Sequence, residues 1–208
     1  MGLDQYLNIT ITTSKPIIKT KELQTTKETL TSLLPSHSLE NIYDINPEFP
    51  ILDLPSVADI IEPNPVINID GYKTDDYELF HVSDAERYYR KANQIQNYFE
   101  ECFYKDGNDY DGDDYNNVVT KVDDLTIDDI IDRINSIESS ENKEETAKEE
   151  FPTTEGFFYG STDYDQDYLE SNNQFKNDLI ELQKIRNEIN QKLENTDYHA
   201  VITYSSWW

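Results

Sequence analysis

FPTTEGFFYGSTDYDQDYLE, residues 151–170, is the junction from which the fold is read outward. Phe157, Phe158 and Tyr159 are strand formers, Gly160 permits a turn that a Cβ resists, and Thr162 is a natural helix N-cap. Asp165 stands three residues after Thr162, a capping-box spacing, and Asp163, Asp165 and Asp167 suit the positive end of a helix dipole. The chain is therefore expected to run extended, turn at Gly160 and enter a helix near Asp163. Such a corner holds Ser161, Thr162 and Tyr164 in fixed places. It reads first as a packed folding junction with a good cap, and second as a ligand-lining loop.

Beyond the junction, Tyr168, Phe175, Leu179, Leu182, Ile189 and Leu193 keep helical spacing to about residue 194, with Ser171-Asn172-Asn173 as the point of interruption. Before it, SSENKEETAKEE (139–150) is polar throughout, a linker or a solvated helical extension, and Thr126 is placed to cap a helix striped by Ile127, Ile130, Ile131, Ile134 and Ile137. Ser83 and Glu86 form a capping box ahead of Ala85, Tyr88, Tyr89, Ala92, Ile95, Phe99, Cys102 and Phe103, which predicts a main helix from residue 83. Strands are expected at 5–13, 118–122 and 198–204, with a hairpin of 66–72 and 77–82 and a threonine-rich helix at 21–34. Residues 14–65 read as an inserted arm. Six prolines from Pro35 to Pro65, among Ile42, Tyr43, Phe49, Ile51 and Leu54, make its second part ordered but irregular, with one helical turn at 56–61. The expected fold is a single α+β domain: a small, mainly antiparallel sheet including both terminal strands, about three helices and the proline-rich arm.

Of 208 residues only 36% are hydrophobic, so the core leans on 15 Tyr, 8 Phe and 2 Trp, whose polar tips need partners. The formal charge is -26, and residues 103–170 hold 21 acids against 5 bases. A field of that sign repels phosphate backbones and anionic lipids, which excludes direct nucleic-acid or membrane-surface binding and suits a basic partner, a cation or nucleic-acid mimicry. Cys102 is the only cysteine, and no apolar run approaches the ~20 residues of a membrane span.

Chemistry-bearing motifs are few. No P-loop, nucleophile elbow or H-E-x-x-H is present, and His37, His81 and His199 are far apart in sequence, the last two in expected strands. KDGNDYDGDDYNN (105–117) suggests a calcium loop, but Gly112 at the sixth position puts Gly107 first and Val118 twelfth, where acids are required. Arg87, Arg90 and Lys91 lie on the non-core sides of the expected main helix, able to face the acidic turn. The candidate pocket is Arg90, Asn93, Ser161, Thr162, Asp163 and Tyr164, closed by Trp207, with no cofactor called for.

MGLDQYL at the start, YYRKANQIQNYF at 88–99, PTTEGFFYGSTDYD at 152–165 and YSSWW at the end resemble a family of small, mostly phage-encoded proteins. Its members begin M-G-L-D-x-Y-L, carry Y-W-R-K-A-N and G-F-F-F-G-S-T-[DE]-Y-D, and end near S-S-W. This chain departs at Tyr89, at Tyr159 and in its longer arm. The resemblance implies a phage or prophage origin and the host cytoplasm, with the virion as alternative, but no particular activity. The expected function is therefore a non-enzymatic accessory factor acting on a host component in counter-defence or host takeover. Its partner would be a host protein held by the acidic surface, or a small nucleotide-like ligand held in the pocket. The alternatives are a metal-assisted hydrolase using Asp163 and Asp165, and a virion component.

Overall fold

Apolar residues at every second position make a strand, and Leu7, Ile9 and Ile11 of β1 (Asp4–Thr13) are all fully buried. A computed structural model, which describes residues 2–43, 60–105 and 115–208, puts β1 at the centre of a seven-stranded sheet. Along one side β1 pairs throughout with β9 (Tyr198–Trp207), from Asp4 opposite Trp207 to Thr13 opposite Tyr198. On the other side its first residues pair with β7 (Arg87–Arg90) and its last with β6 (Lys73–Val82). From β6 the sheet continues through β5 (Pro65–Asn68) and β8 (Thr120–Val122) back to β9. β1, β6, β5, β8 and β9 thus form a closed cycle of pairings, antiparallel except between β5 and β8. β3 (Leu39–Asn41) adds to β6, and β2 (Ile18–Lys19) with β4 (Ile60–Ile61) makes a separate ribbon.

On the face of β1 turned away from Leu7, Ile9 and Ile11, Thr10 and Thr12 are buried together with Thr203 and with Glu78, which lies opposite Thr12, and the Thr10 and Thr203 hydroxyls are 3.0 Å apart. The helices pack against the outer face: α1 (Thr20–Leu33), α2 (Asn93–Tyr104), α3 (Asp124–Ser139), α4 (Lys143–Glu150) and α5 (Gln166–Leu193). Phe99 of α2 stacks on Tyr204 at 3.9 Å, and Phe175 of α5 meets Tyr89 edge-on at 5.3 Å. No helix among the described residues is long and apolar enough to cross a membrane.

The buried Tyr204 hydroxyl is satisfied by two amides. Gln5 Nε2 donates to Tyr204 Oη (2.9 Å), which donates to Gln96 Oε1 (2.8 Å), and both Gln96 Nε2 and Tyr159 Oη donate to Glu100 Oε1. This relay crosses from β1 through β9 and α2 to the loop before Gly160.

The α+β class and both terminal strands match the sequence reading, although there are five helices among the described residues rather than three. Several local expectations need correction. Ser83 does not open the main helix: Ser83–Ala85 is one 3₁₀ turn, Arg87–Arg90 is a strand, and α2 starts at Asn93. Asp84 is drawn away to the Ser38 amide and the His37 ring, and Tyr88 and Tyr89 find a ladder on β1. Thr162 does not cap α5; Asp165 does, accepting from the Tyr168 amide at 3.1 Å. Phe157, Phe158 and Tyr159 form a turn closed by Tyr159 N–H donating to Gly156 O, not a strand. Asp123, not Thr126, caps α3, and it binds both the amide and the hydroxyl of Thr126. The helix through Ser171-Asn172-Asn173 is unbroken, and residues 143–150 form their own helix. Of the 56–61 turn, 56–59 lie outside the described residues and Ile60–Ile61 is strand; of the acidic loop, 106–114 lie outside them.

Candidate functional site

Where β7 ends, the chain must leave the sheet and enter α2 within two residues, and β1 dictates how. Lys91 N–H donates to Leu3 O (2.8 Å), and the Gln5 side chain clamps Ala92 from both sides, accepting from its amide and donating to its carbonyl at 3.0 Å each. This geometry requires Lys91 to adopt φ 60, a left-handed conformation that costs a lysine about 1–2 kcal/mol.

The 157–161 loop docks on the same anchor. Leu3 N–H donates to Phe158 O at 3.0 Å, so Leu3 holds both segments. Gly160, at φ 93, presses against Lys91: a Cβ there would stand 2.9 Å from Lys91 Cβ. Gly2 is also tight, since a Cβ would lie 3.2 Å from Lys91 Cε. Asn93, 1% exposed, donates through Nδ2 to the Ser161 and Tyr159 carbonyls, and its Oδ1 has no partner among the described residues. Gln94 Nε2 then ties α2 to α5 by donating to Ser171 Oγ (2.7 Å) and Asn172 Oδ1 (2.8 Å).

Between these anchors lies a cleft of about 320 Å³, lined on one side by Arg90, Lys91 and Gly160 and on the other by Ser161, Asp163, Asp165, Asp167, Tyr168 and Ser171, with Ala92 and Gln94 at its base. Asp163 Oδ2 accepts from Ser161 Oγ (3.0 Å), whose oxygen accepts from the Asp163 amide. Asp165 is committed to its cap. Arg87, Arg133 and Arg186 are ion-paired, whereas among the described residues neither Arg90 nor Lys91 has an acid within ion-pairing distance. The cleft thus has a cationic lip, an acidic far wall and hydroxyls between them.

Of the residues expected from sequence, Arg90, Ser161 and Asp163 line the cleft and Asn93 supports it from beneath. Thr162 and Tyr164 are not among its lining. Thr162 O accepts from Thr153 Oγ1, while the Tyr164 ring meets Tyr168 at 5.1 Å and lies under the Lys148 ammonium. Trp207 does not close the cleft. It sits opposite Asp4 on β9, two strands from Arg90, and 48% exposed, while Trp208 abuts Tyr159 edge-on at 5.5 Å. Sequence reasoning missed Gln94, Ser171 and the backbone strain at Lys91. The cation was legible, but its strain depends on β7, which was read as helix.

The other histidines and the cysteine lie elsewhere. His199 Nε2 faces both Asp76 Oδ1 (2.8 Å) and Thr12 Oγ1 (3.1 Å), so one nitrogen serves both and no relay from hydroxyl through imidazole to carboxylate exists. Burial pushes the Cys102 thiol up, away from its reactive form. Among the described residues no three His, Cys, Asp or Glu side chains are placed to hold a metal ion. Compared with protein-family models, curated proteins and solved structures, the chain shows no match.

Proposed function

We propose that the protein is a phage-type accessory factor that binds a small host molecule without transforming it, holding a nucleotide-like ligand between Arg90–Lys91 and the start of α5. The observation that carries this reading is the uncompensated cation pair in a chain of charge -26, one member of it on strained backbone. Residues kept in costly conformations concentrate where the strain serves a ligand. A phosphate accepts from Arg90 and Lys91 together. The Asp163 carboxylate opposite is an acceptor for a ribose hydroxyl or a base N–H. A purely anionic ligand would meet repulsion there, which favours one that bears both phosphate and hydrogen-bond donors. A volume of about 320 Å³ falls at the small end of ligand sites, roughly 300–1,000 Å³. The phage setting rests on the four sequence motifs, all of which meet at the first residues of β1. Hydrolysis by an Asp163–Asp165 pair is less well supported, because Asp165 is spent on the helix cap.

Native mass spectrometry of protein purified from host lysate, followed by thermal-shift titration with mononucleotides and cyclic oligonucleotides, tests the reading. A bound mass or a shift that disappears in both Arg90→Ala and Asp163→Ala is expected. No retained small molecule and no nucleotide response would refute it.

A further inference from the structure

The register that builds the cleft also places an acid behind its arginine. Asp4 lies opposite Arg90 and Tyr6 opposite Tyr88 across β1 and β7, so Asp4, Tyr88 and Arg90 share one face of the sheet. Tyr88 Oη donates to Asp4 Oδ1, and the Arg90 guanidinium hydrogen-bonds the same hydroxyl. A phenol has one proton, so a hydroxyl that gives it to Asp4 can only accept from Arg90, and the three form a chain from guanidinium through hydroxyl to carboxylate. The bond to Asp4 is the first cause pushing the Tyr88 hydroxyl up, which keeps that proton in place. The Tyr6 ring backs Tyr88 at 5.3 Å, and Arg90 lies against Gly2, where a Cβ would stand 3.5 Å from Nη2. Arg90 makes no direct ion pair among the described residues, yet one carboxylate acts on it across a single hydroxyl.

We infer that Asp4, although outside the cleft, sets the charge of the ligand the cleft accepts, restricting it to a small phosphodiester in place of a phosphomonoester or a polyphosphate; this rests on the reading of the cleft as a nucleotide site. The lining sets the two cations of Arg90 and Lys91 against the three carboxylates of Asp163, Asp165 and Asp167. A phosphodiester carries one negative charge on two free oxygens, and the two cations meet it. A monoester at neutral pH adds a second charge, and a triphosphate adds more. Among the described residues no third cation lines the cleft to receive them, and Asp4 already draws on the charge of Arg90. Selectivity then comes from what is repelled as much as from what is attracted. A nucleic-acid strand offers the same diester, but its further phosphates meet a chain of charge -26.

The probes are the 3′,5′-cyclic monophosphate, monophosphate, diphosphate and triphosphate of adenosine and of guanosine, titrated by calorimetry at about pH 7.5 without divalent cations, so that within each series only the phosphate charge differs. Wild type should bind the cyclic diester about tenfold more tightly than the monophosphate, and the triphosphate most weakly. Asp4→Asn keeps an acceptor for the Tyr88 hydroxyl and removes only the charge, so it should bind the monophosphate about three- to tenfold more tightly than wild type does, with a smaller change for the cyclic diester. Damage to the fold does not produce such a gain. Asp4→Glu, which keeps the charge, should keep the wild-type order, and Asp4→Ser repeats the comparison should Asp4→Asn fail to fold by circular dichroism. A monophosphate or triphosphate bound by wild type as tightly as the cyclic diester, or a ratio that Asp4→Asn leaves unchanged, would overturn the inference and leave the cleft reading standing. Tighter binding of a ten-nucleotide single strand would overturn it in favour of nucleic acid. Glycerophosphocholine, a diester without a base, should bind more weakly than the cyclic nucleotides; equal binding would uphold the charge rule and move the source to a lipid headgroup. No response to either nucleotide series would refute the cleft reading itself, and this inference with it.

Discussion

Replacing Lys91 by glycine should leave the protein more stable than replacing it by alanine, the reverse of the usual order. At φ 60 every residue with a Cβ bears a cost of about 1–2 kcal/mol, and alanine keeps it. Glycine escapes that cost but loses about 0.5–1 kcal/mol through the greater freedom of its unfolded chain. The difference leaves Lys91→Gly ahead of Lys91→Ala by about 0.5–1 kcal/mol, while both abolish the cationic lip equally. Gly160→Ala is the mirror experiment. It adds a Cβ at φ 93 and sets it 2.9 Å from Lys91 Cβ, so the conformational cost and a steric one combine to about 2–3 kcal/mol. In the Lys91→Gly background the nearest atom, Lys91 Cβ, is gone, and about 1 kcal/mol of that loss should be recovered as non-additivity. Urea denaturation at pH 7, with equal slopes checked across the set, measures all four. If Lys91→Gly proves less stable than Lys91→Ala by about 0.5 kcal/mol or more, as at an ordinary position, Lys91 stores no strain.

Three further outcomes are expected. Tyr204→Phe keeps the ring on Phe99 and leaves Gln5 Nε2 on Ala92 O, but takes the donor from the buried Gln96 Oε1, a loss of about 1–2 kcal/mol in urea; a loss below about 0.5 kcal/mol would mean Gln96 Oε1 finds another partner. Asp76 is held down to about 2, first by its hydrogen bond to His199 and then by Lys121, so its contribution to stability is present above its ordinary value of 3.8 and lost as pH falls toward 2. Acid titration should therefore show wild type more stable than Asp76→Asn at pH 6 and the gap closing near pH 2; a gap independent of pH would contradict the assignment. Asp165→Ala should cost about 1 kcal/mol and Thr162→Ala only a few tenths, and the opposite ranking by thermal unfolding would return the cap to Thr162.

What was legible in the sequence was what period and composition control. The alternation of β1, the isoleucine stripe of α3 and the three-four spacing of α5 each survive in the structure, because each depends on one face being apolar. The failures share a cause as well. Ser83 with Glu86, and Thr162 with Asp165, satisfy a capping rule that looks only three residues along the chain. The outcome was decided by partners far away, Ser38 and His37 for Asp84 and β1 for Tyr88 and Tyr89. Tyr88-Tyr89 suits helix or strand alike, and only the vacant side of Asp4–Leu7 selects strand. The candidate site was legible in its residue types and not in its arrangement. Arg90 and Asp163 were expected to meet, whereas the strained turn that makes them meet follows from that strand.

This difference bears on how the cleft works. Its cationic lip is positioned by main-chain bonds from Leu3 and by the two-sided amide clamp of Gln5, and its acidic wall by Asn93 beneath Ser161 and by the Asp165 cap. The two walls are then joined through Gln94 to Ser171 and Asn172. None of these bonds uses Arg90 or the Lys91 ammonium, although the Arg90 guanidinium hydrogen-bonds Tyr88, and the backbone carrying both charges is fixed. On the proposed ligand-binding reading, such a site would spend little ordering energy on binding and gain specificity from fixed spacing between cation and acceptor. MGLDQYL and YSSWW place no side chain in the cleft. They form the two central strands, and the register between them sets where residues 90–92 leave the sheet.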